Sequence, residues 1–272
     1  MRNFVIERNV NGVWFGMFDH FSSNLSIKHA ISTRLGGISQ SPFVSLNLGL
    51  HTGDETVAVN DNRRRFCQAA GVNYKNVVTA EQTHSDNIAI VSRQDIGKGA
   101  TSFETSIPNT DALITNIPDL PLMLFFADCV PVLIADPVRK VIGVSHAGWK
   151  GTVAKIGQKT ILKMQEEYNT NPADCLVGIG PSIGPCCYEV DSPVIEKVKE
   201  SFGALEKLVI PHQKSWHLDL WEANKLQMQE IGVKTKNIII SKICTSCNNE
   251  LFFSYRAEHG KTGRIGAIIS LS

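Results

Sequence analysis

The chain reads as one layered α/β domain over residues 1–272, with mixed β-sheets covered by helices. Six short runs, 122–126, 130–134, 141–145, 176–180, 237–240 and 265–269, are apolar throughout instead of alternating, the pattern of strands buried on both faces. Helical segments with identifiable starts and stops are interspersed with them. No Pro/Ser/Gly stretch divides two regimes of composition, so nothing marks a domain boundary, although the length alone would allow two domains.

Phe4 to Ile6 and Val13 to Phe18 flank Asn11-Gly12, a dipeptide that adopts the positive φ angles of a type I′ turn, and predict an opening hairpin. Residues 32–39 read as a strand end and turn, and 45–49 as a short ordered loop. Asp54 is placed to cap a helix that runs to Ala70 and stops at Gly71. A second helix is expected after Gly151, because Val153, Gly157, Ile161, Met164 and Tyr168 recur every three to four residues along one stripe. A third starts at Ser192-Pro193, serine as N-cap and proline at the first helical position, and reaches Phe202. The fourth opens with the capping-box-like Asp219-Leu220-Trp221-Glu222 and ends at Gly232.

A formal net charge of +1 gives no electrostatic reason for a nucleic-acid or anionic-membrane partner. Glu7 arrives too early for the apolar core of an export signal. The apolar stretch 120–135 carries Pro121, Asp128 and Pro131, which rules out a regular spanning helix. Seven cysteines without the dense spacing of a secreted disulfide scaffold fit a reducing, cytoplasmic setting. Cys186 and Cys187 are adjacent and would pair only with strain. Cys244 and Cys247 form a lone CxxC, short of the four ligands that paired zinc knuckles supply. No HExxH, Walker A or Rossmann glycine pattern is present.

The chemistry concentrates on three residues. Cys129 lies between two apolar runs, His146 ends another, and His84 follows in the polar segment Glu81-Gln82-Thr83-His84-Ser85-Asp86. Two imidazoles and a thiolate hold a zinc ion while leaving a fourth position open, the arrangement of a catalytic site. Each also has a simpler reading, Cys129 as a small core hydrophobe and the histidines as hydrogen-bonded structural residues. After His146, Gly148 and Gly151 let the backbone turn into a helix whose N-terminus, with Lys150, suits a phosphate or merely closes a tight turn. The glycine- and proline-stiffened segment 178–189 lines a site or makes a structural corner. Arg256 and Arg264 are phosphate ligands or solvated surface charges. His20, His29, His51, His212, His217 and His259 share no spacing with acidic or thiol partners and are read as surface or structural.

Taken in order, several segments resemble one family, the YfiH-like proteins, also called the multicopper polyphenol oxidase or laccase-domain family and regarded as purine nucleoside phosphorylases. They are Ser32-Thr33-Arg34 with Gly36-Gly37, Ser45-Leu46-Asn47-Leu48-Gly49, Gln82-Thr83-His84, Asp111-Ala112-Leu113-Ile114-Thr115, Ala127-Asp128-Cys129-Val130-Pro131-Val132, His146-Ala147-Gly148-Trp149-Lys150-Gly151, Gly180-Pro181-Ser182-Ile183-Gly184 and Thr262-Gly263-Arg264. The resemblance implies an α/β/β/α layering and zinc at His84, Cys129 and His146, with copper also associated with the family. It implies phosphorolysis of adenosine, inosine, guanosine and methylthioadenosine, and hydrolytic deamination of adenosine. Ala257 stands where many members carry a second basic residue, which weakens any phosphate role nearby.

Deamination would use a zinc-activated water against C6 of adenine, with a nearby acid moving protons. Asp128, Asp111 and Glu189 are the candidates, although regular strand alternation would turn Asp128 away from Cys129. Phosphorolysis needs electrostatic positioning of phosphate against the ribose. Lys150, the adjoining helix N-terminus, Arg34 and Arg264 are expected to hold phosphate, and Asn47 and Gln82 to contact the nucleoside. The expected catalytic set is therefore His84, Cys129, His146 and Asp128, and a homodimer is compatible with it. Three rival readings stand beside it: a cysteine-dependent hydrolase using Cys129 with His146 or His84, a copper-dependent phenol oxidoreductase, and a binding or assembly protein that keeps zinc for structure. The copper reading lacks the Cys-His-Met and multi-histidine sets of a true multicopper oxidase.

Overall fold

The computed structural model describes residues 4–24, 26–203, 205–212 and 215–272; residues 1–3, the start of the segment read above for an export signal, lie outside them. The expected hairpin forms from β1 (Phe4–Arg8) and β2 (Trp14–Phe18), with Phe4 opposite Phe18 and Arg8 opposite Trp14. Asn9 accepts hydrogen bonds from the amides of Asn11 and Val13, so its side chain templates the turn. A single helical turn, α1 (Asp19–Ser22), leads to β3 (Ile27–Ser32). The first long helix is α2 (Thr56–Ala69). Asp54 does not cap it: one carboxylate oxygen of Asp54 accepts from Ser39 and Asn47, and the residue flanking the helix is Glu55, with no side-chain cap.

Five strands then follow, with only two short 3-10 turns, Arg93–Asp95 and Phe103–Thr105, among them: β4 (Ile88–Ile90), β5 (Ala112–Thr115), β6 (Leu122–Phe126), β7 (Val130–Asp136) and β8 (Val141–Ala147). The helix expected after Gly151 starts earlier and is broken in two, α3 (Trp149–Val153) and α4 (Ile156–Tyr168), by Lys155 at φ 59°. Next come β9 (Leu176–Ile179), β10 (Glu189–Val190), α5 (Ser192–Phe202), β11 (Val209–His212), β12 (Ser215–Leu218), α6 (Leu220–Glu230), β13 (Ile238–Ile240) and β14 (Ile265–Leu271). Asp219 caps α6 by accepting from the Glu222 amide, as expected, whereas α5 takes Asp191 instead of Ser192 as its flanking residue.

An antiparallel five-stranded sheet, β1-β2-β3-β14-β6, stacks on a mixed six-stranded sheet, β13-β9-β7-β8-β5-β4. Leu122, Leu124 and Phe126 of β6 meet Leu133 of β7 and Ile142 and Val144 of β8 in the layer between the sheets. The alternate residues Met123 and Phe125 face α2 through Phe66 and Cys67. On the far side, Val132, Ile134 and Val177 pack against Ile161 and Met164 of α4 and Met228 of α6. Both faces of each central strand are covered, which is why those strands read as unbroken apolar runs. The order is helix, sheet, sheet, helix. A small antiparallel sheet, β10-β12-β11, was not foreseen; its strands are short and mostly half-exposed, leaving little apolar pattern to read.

His29 is buried in the N-terminal part of the first sheet, where its Nε2 accepts from the Phe18 amide at 2.8 Å. Burial, assisted by the charge of His20, pushes its pKa down to about 3. The unfolded chain takes up a proton near pH 6.5 and the folded one does not, so this stability is complete above 6.5 and is lost as pH falls toward the folded value. Between pH 7 and pH 5 the loss through His29 is about 2 kcal/mol. Urea unfolding at the two pH values should show a smaller loss in His29→Gln, which keeps an acceptor and cannot be protonated. An identical loss in the variant would remove His29 as the cause.

Candidate functional site

Between β6 and β7 the chain crosses from one sheet to the other in the three residues Ala127-Asp128-Cys129. Asp128 makes this corner at φ 81°, outside regular strand geometry, so strand alternation does not separate it from Cys129. His146 lies in β8 opposite Pro131, on the face that Ile142 and Val144 turn toward the other sheet. Its ring packs 5.4 Å from that of Phe126. His84 arrives from a separate polar turn, itself at φ 60°. One donor atom each from His84, Cys129 and His146 lies within 4.8 Å of the others, with His84 Nε2 3.9 Å from Cys129 Sγ.

One buried carboxylate organises this trio. Asp111, immediately before β5, accepts at Oδ1 from His146 Nδ1 at 2.8 Å and from the His84 amide at 3.1 Å. Its Oδ2 accepts from the amides of Thr83 and Ser85 and from Ser85 Oγ. With Nδ1 donating to Asp111, His146 keeps Nε2 for a ligand, as metal-binding histidines commonly do when a carboxylate holds the other ring nitrogen. Burial alone would raise the Asp111 pKa, but the His146 and Ser85 hydrogen bonds hold it well below the ordinary carboxylate range.

Burial also opposes ionisation of Cys129 and His146, and their mutual attraction wins. The thiol falls to about 6 under the charge and hydrogen bond of His146 and the hydrogen bond of His84. His146 rises to about 9 against Cys129 and Asp111. Each group thus favours the charged form of the other, thiolate beside imidazolium. Gly148 is required beside them: a Cβ there would lie 2.8 Å from Cys129 Sγ and 3.4 Å from His84 Cδ2. Two imidazoles and a thiolate converging with a carboxylate behind one of them are a donor set that fits a zinc-class ion.

The trio borders a cavity of about 570 Å³, within the range of small-molecule sites. Phe103, Phe125, Tyr188 and Tyr255 give it aromatic walls, and Arg256 and Arg264 supply cations. A second cavity of about 260 Å³ shares His84, Asp128, Cys129, Ile183 and Tyr188 with the first and is bordered by Lys150.

A sequence model of the family described as multi-copper polyphenol oxidoreductase laccase matches residues 28–272. The chain belongs to this laccase family. It is 40% identical over 243 residues to purine nucleoside phosphorylase YlmD of Geobacillus stearothermophilus, covering 88% of each chain. It is 30% identical over 248 residues to adenosine deaminase RL5 from an unknown prokaryotic organism, covering 90% of this chain and 94% of that one. The crystal structure of YlmD from Geobacillus stearothermophilus superposes with a TM-score of 0.92 at 36% identity, over 98% of both chains.

In this laccase-family chain the residues expected around the trio divide into two groups. Asp128, Gln82 and Arg264 border the large cavity and Lys150 the small one. Gln82 nonetheless spends both ends of its amide on the backbone of Phe125, at 2.8 Å each, and so aligns β6. Arg34 and Asn47 border neither cavity. The Arg34 guanidinium is committed to the carbonyls of Val44 and Asn249 and to Glu258. Asn47 is fully buried, and its side chain holds the 47–54 loop and the Arg264 amide. Of the other acids, Asp111 has both oxygens occupied and Glu189 lies outside both cavities. His51, read as surface or structural, borders the large cavity from a loop, beside Phe103. Tyr188 falls in the stiff segment 178–189 that the sequence offers as a site lining, whereas nothing around Tyr255 distinguishes an aromatic on a cavity wall from one in a core.

No helix among the described residues is long and apolar enough to cross a membrane.

Proposed function

We propose that this chain cleaves purine nucleosides with phosphate, releasing free base and ribose 1-phosphate, at a zinc ion held by His84, Cys129 and His146. Adenosine, inosine, guanosine and methylthioadenosine are its substrates on this reading, and deamination of adenosine is a second activity of the same site. The observation that carries it is the convergence of the three donor groups at the border of an aromatic-walled cavity of nucleoside size. The relatives named purine nucleoside phosphorylase and adenosine deaminase support it. Among the described residues no methionine borders either cavity, which favours zinc over a blue-copper site with its axial thioether.

When bound, the ion supplies Lewis acidity beside the reacting atoms. The chain's own residues do the rest. The aromatic walls bind the purine face by stacking. Lys150 and Arg264 bind phosphate and offset its charge as it approaches C1′. Asp128 is the one of the three proposed carboxylates that borders both cavities, and it carries the proton to or from the purine. Its oxygens each accept one short hydrogen bond, from Thr245 Oγ1 and from the Arg256 amide, both at 2.6 Å, which fixes its orientation. As the C1′–N bond breaks, the purine takes a proton and the phosphate oxygen bonds to C1′.

Chromatography of inosine with the purified protein should show hypoxanthine only when phosphate is present, and adenosine should yield adenine and inosine. Lys150→Ala should raise the phosphate KM about tenfold with metal content unchanged, the effect of one charge-assisted contact. Absence of any base or deaminated product from all four nucleosides would sink the reading. The paired thiolate and imidazolium favour one competitor, a hydrolase with Cys129 as nucleophile. Complete metal removal separates them, since a cysteine nucleophile would keep its activity until alkylated.

A further inference from the structure

The lone CxxC of the sequence has partners after all. β9 and β13 are neighbouring parallel strands, and the loops that leave their C-terminal ends run side by side. The Ser182 amide donates to Ile243 O and the Thr245 amide to Ser182 O, joining the two loops next to Cys244. This brings Cys186 and Cys187 of one loop to Cys244 and Cys247 of the other, with all four Sγ atoms within 4.8 Å of one another.

We propose that Cys186, Cys187, Cys244 and Cys247 form a second metal site, a four-thiolate site for a zinc-class divalent cation that pins together the two loops walling the cavity. Cys247 Sγ lies 3.5 Å from Cys186 Sγ and 3.3 Å from Cys187 Sγ. Four sulfurs around zinc at about 2.3 Å form a tetrahedron with edges of about 3.8 Å, so small side-chain rotations reach that shape. The same cysteines are unpaired thiols, with no disulfide among them. The Gly184 amide donates to Cys244 Sγ at 3.2 Å, the kind of backbone contact that stabilises charge on a coordinating sulfur. Gly184 is needed for that approach, because a Cβ there would lie 3.2 Å from Cys244 Cβ and 2.6 Å from the Trp221 ring. Cys186 and Cys247 are exposed, so an ion enters from solvent without opening the core. Arg256 donates to the carbonyls of Cys187 and Glu189 and so ties the second loop to the first.

The consequence is structural. The first loop carries Ile183 and Tyr188 to the cavity, and the second carries Thr245, which fixes Asp128, together with Tyr255 and Arg256. Both loops are turns without strand or helix ladders, so their positions depend on such cross-links. Four ligands and no open position make the site closed and non-catalytic.

The test is metal stoichiometry of the full chain purified with zinc, read by elemental mass spectrometry alongside cobalt substitution. His84→Ala/Cys129→Ser should retain about one equivalent, and with cobalt it should show the intense thiolate charge-transfer bands of a tetrahedral four-sulfur site. Cys244→Ser/Cys247→Ser should lose that equivalent and melt at a lower temperature; should it fail to fold, the first variant decides alone. Two results overturn the proposal: His84→Ala/Cys129→Ser carrying no metal, or the four thiols proving oxidised, with a pair of hydrogens missing from the intact mass per disulfide.

Discussion

Cys129→Ser is expected to lower kcat/KM for phosphorolysis about a thousandfold or more, because Lewis-acid stabilisation amounts to several kcal/mol and each 1.4 kcal/mol is a factor of ten. The hydroxyl of serine stays protonated at neutral pH and is a poor ligand for a zinc-class ion, whereas Cys129 is held toward thiolate by His146 and His84. The substitution therefore removes the anionic donor of the trio while keeping its shape. Metal content should fall by one equivalent, and the melting temperature should change little, since Cys129 lies at a corner and is only partly buried. A companion measurement on wild-type protein freed of metal concerns the proton. With Cys129 ionised and His146 protonated, zinc binding at pH 7 should release about one proton, from His146, as coordination demands a neutral imidazole. Calorimetry in buffers of different ionisation enthalpy reads that number. A Cys129→Ser enzyme with full turnover would end the metal reading and the cysteine-nucleophile reading together.

The ease with which the trio was found in the sequence has a physical basis. Buried strands leave unbroken apolar runs, and a cysteine or histidine at the end of such a run is conspicuous; Cys129 and His146 occupy those positions. The helix starts at Asp219 and near Pro193 were legible for a similar reason, as capping is local chemistry. Arg34 and Asn47 show where that logic stops. Both lie in segments that carry the resemblance to the family, yet their polar groups are consumed by groups brought from distant parts of the chain, Asn249 and Arg264 among them. A motif reveals that a residue matters without revealing which way its side chain points. His51 is exposed as expected, yet a loop with no periodic signal also carries it to the cavity border. The four-cysteine cluster depended on the pairing of β9 with β13, a contact between strands some sixty residues apart that no spacing rule encodes. For Asp128 the sequence left the side-chain direction conditional on a regular strand, and the change of sheet makes a corner at that residue instead.

Asp111→Asn should be the most damaging substitution that leaves all three proposed ligands in place. Asp111 is wholly buried and its carboxylate faces only donors: the amides of Thr83, His84 and Ser85, the Ser85 hydroxyl and His146 Nδ1. An asparagine must turn its NH₂ toward one of these sets. Placed at Oδ1 it opposes the His84 amide and can no longer accept from His146 Nδ1, so the hydrogen bond that aims Nε2 at the metal is lost. Placed at Oδ2 it opposes two amides and a hydroxyl, and the turn that carries His84 loosens. Either way buried donors lose their acceptor, at a cost of about 3–5 kcal/mol. For a chain of this size that corresponds to a melting temperature lower by roughly 10 °C. Because the carboxylate orients one ligand and holds the backbone of another, metal affinity should fall by about 10–100-fold. Ser85→Ala removes one hydrogen bond from the same carboxylate and should give a mild version of both effects, about 1 kcal/mol in stability. The two readouts separate positioning from catalysis: a residue that only moved protons would leave melting temperature and zinc affinity untouched, and that result for Asp111→Asn would refute the positioning role.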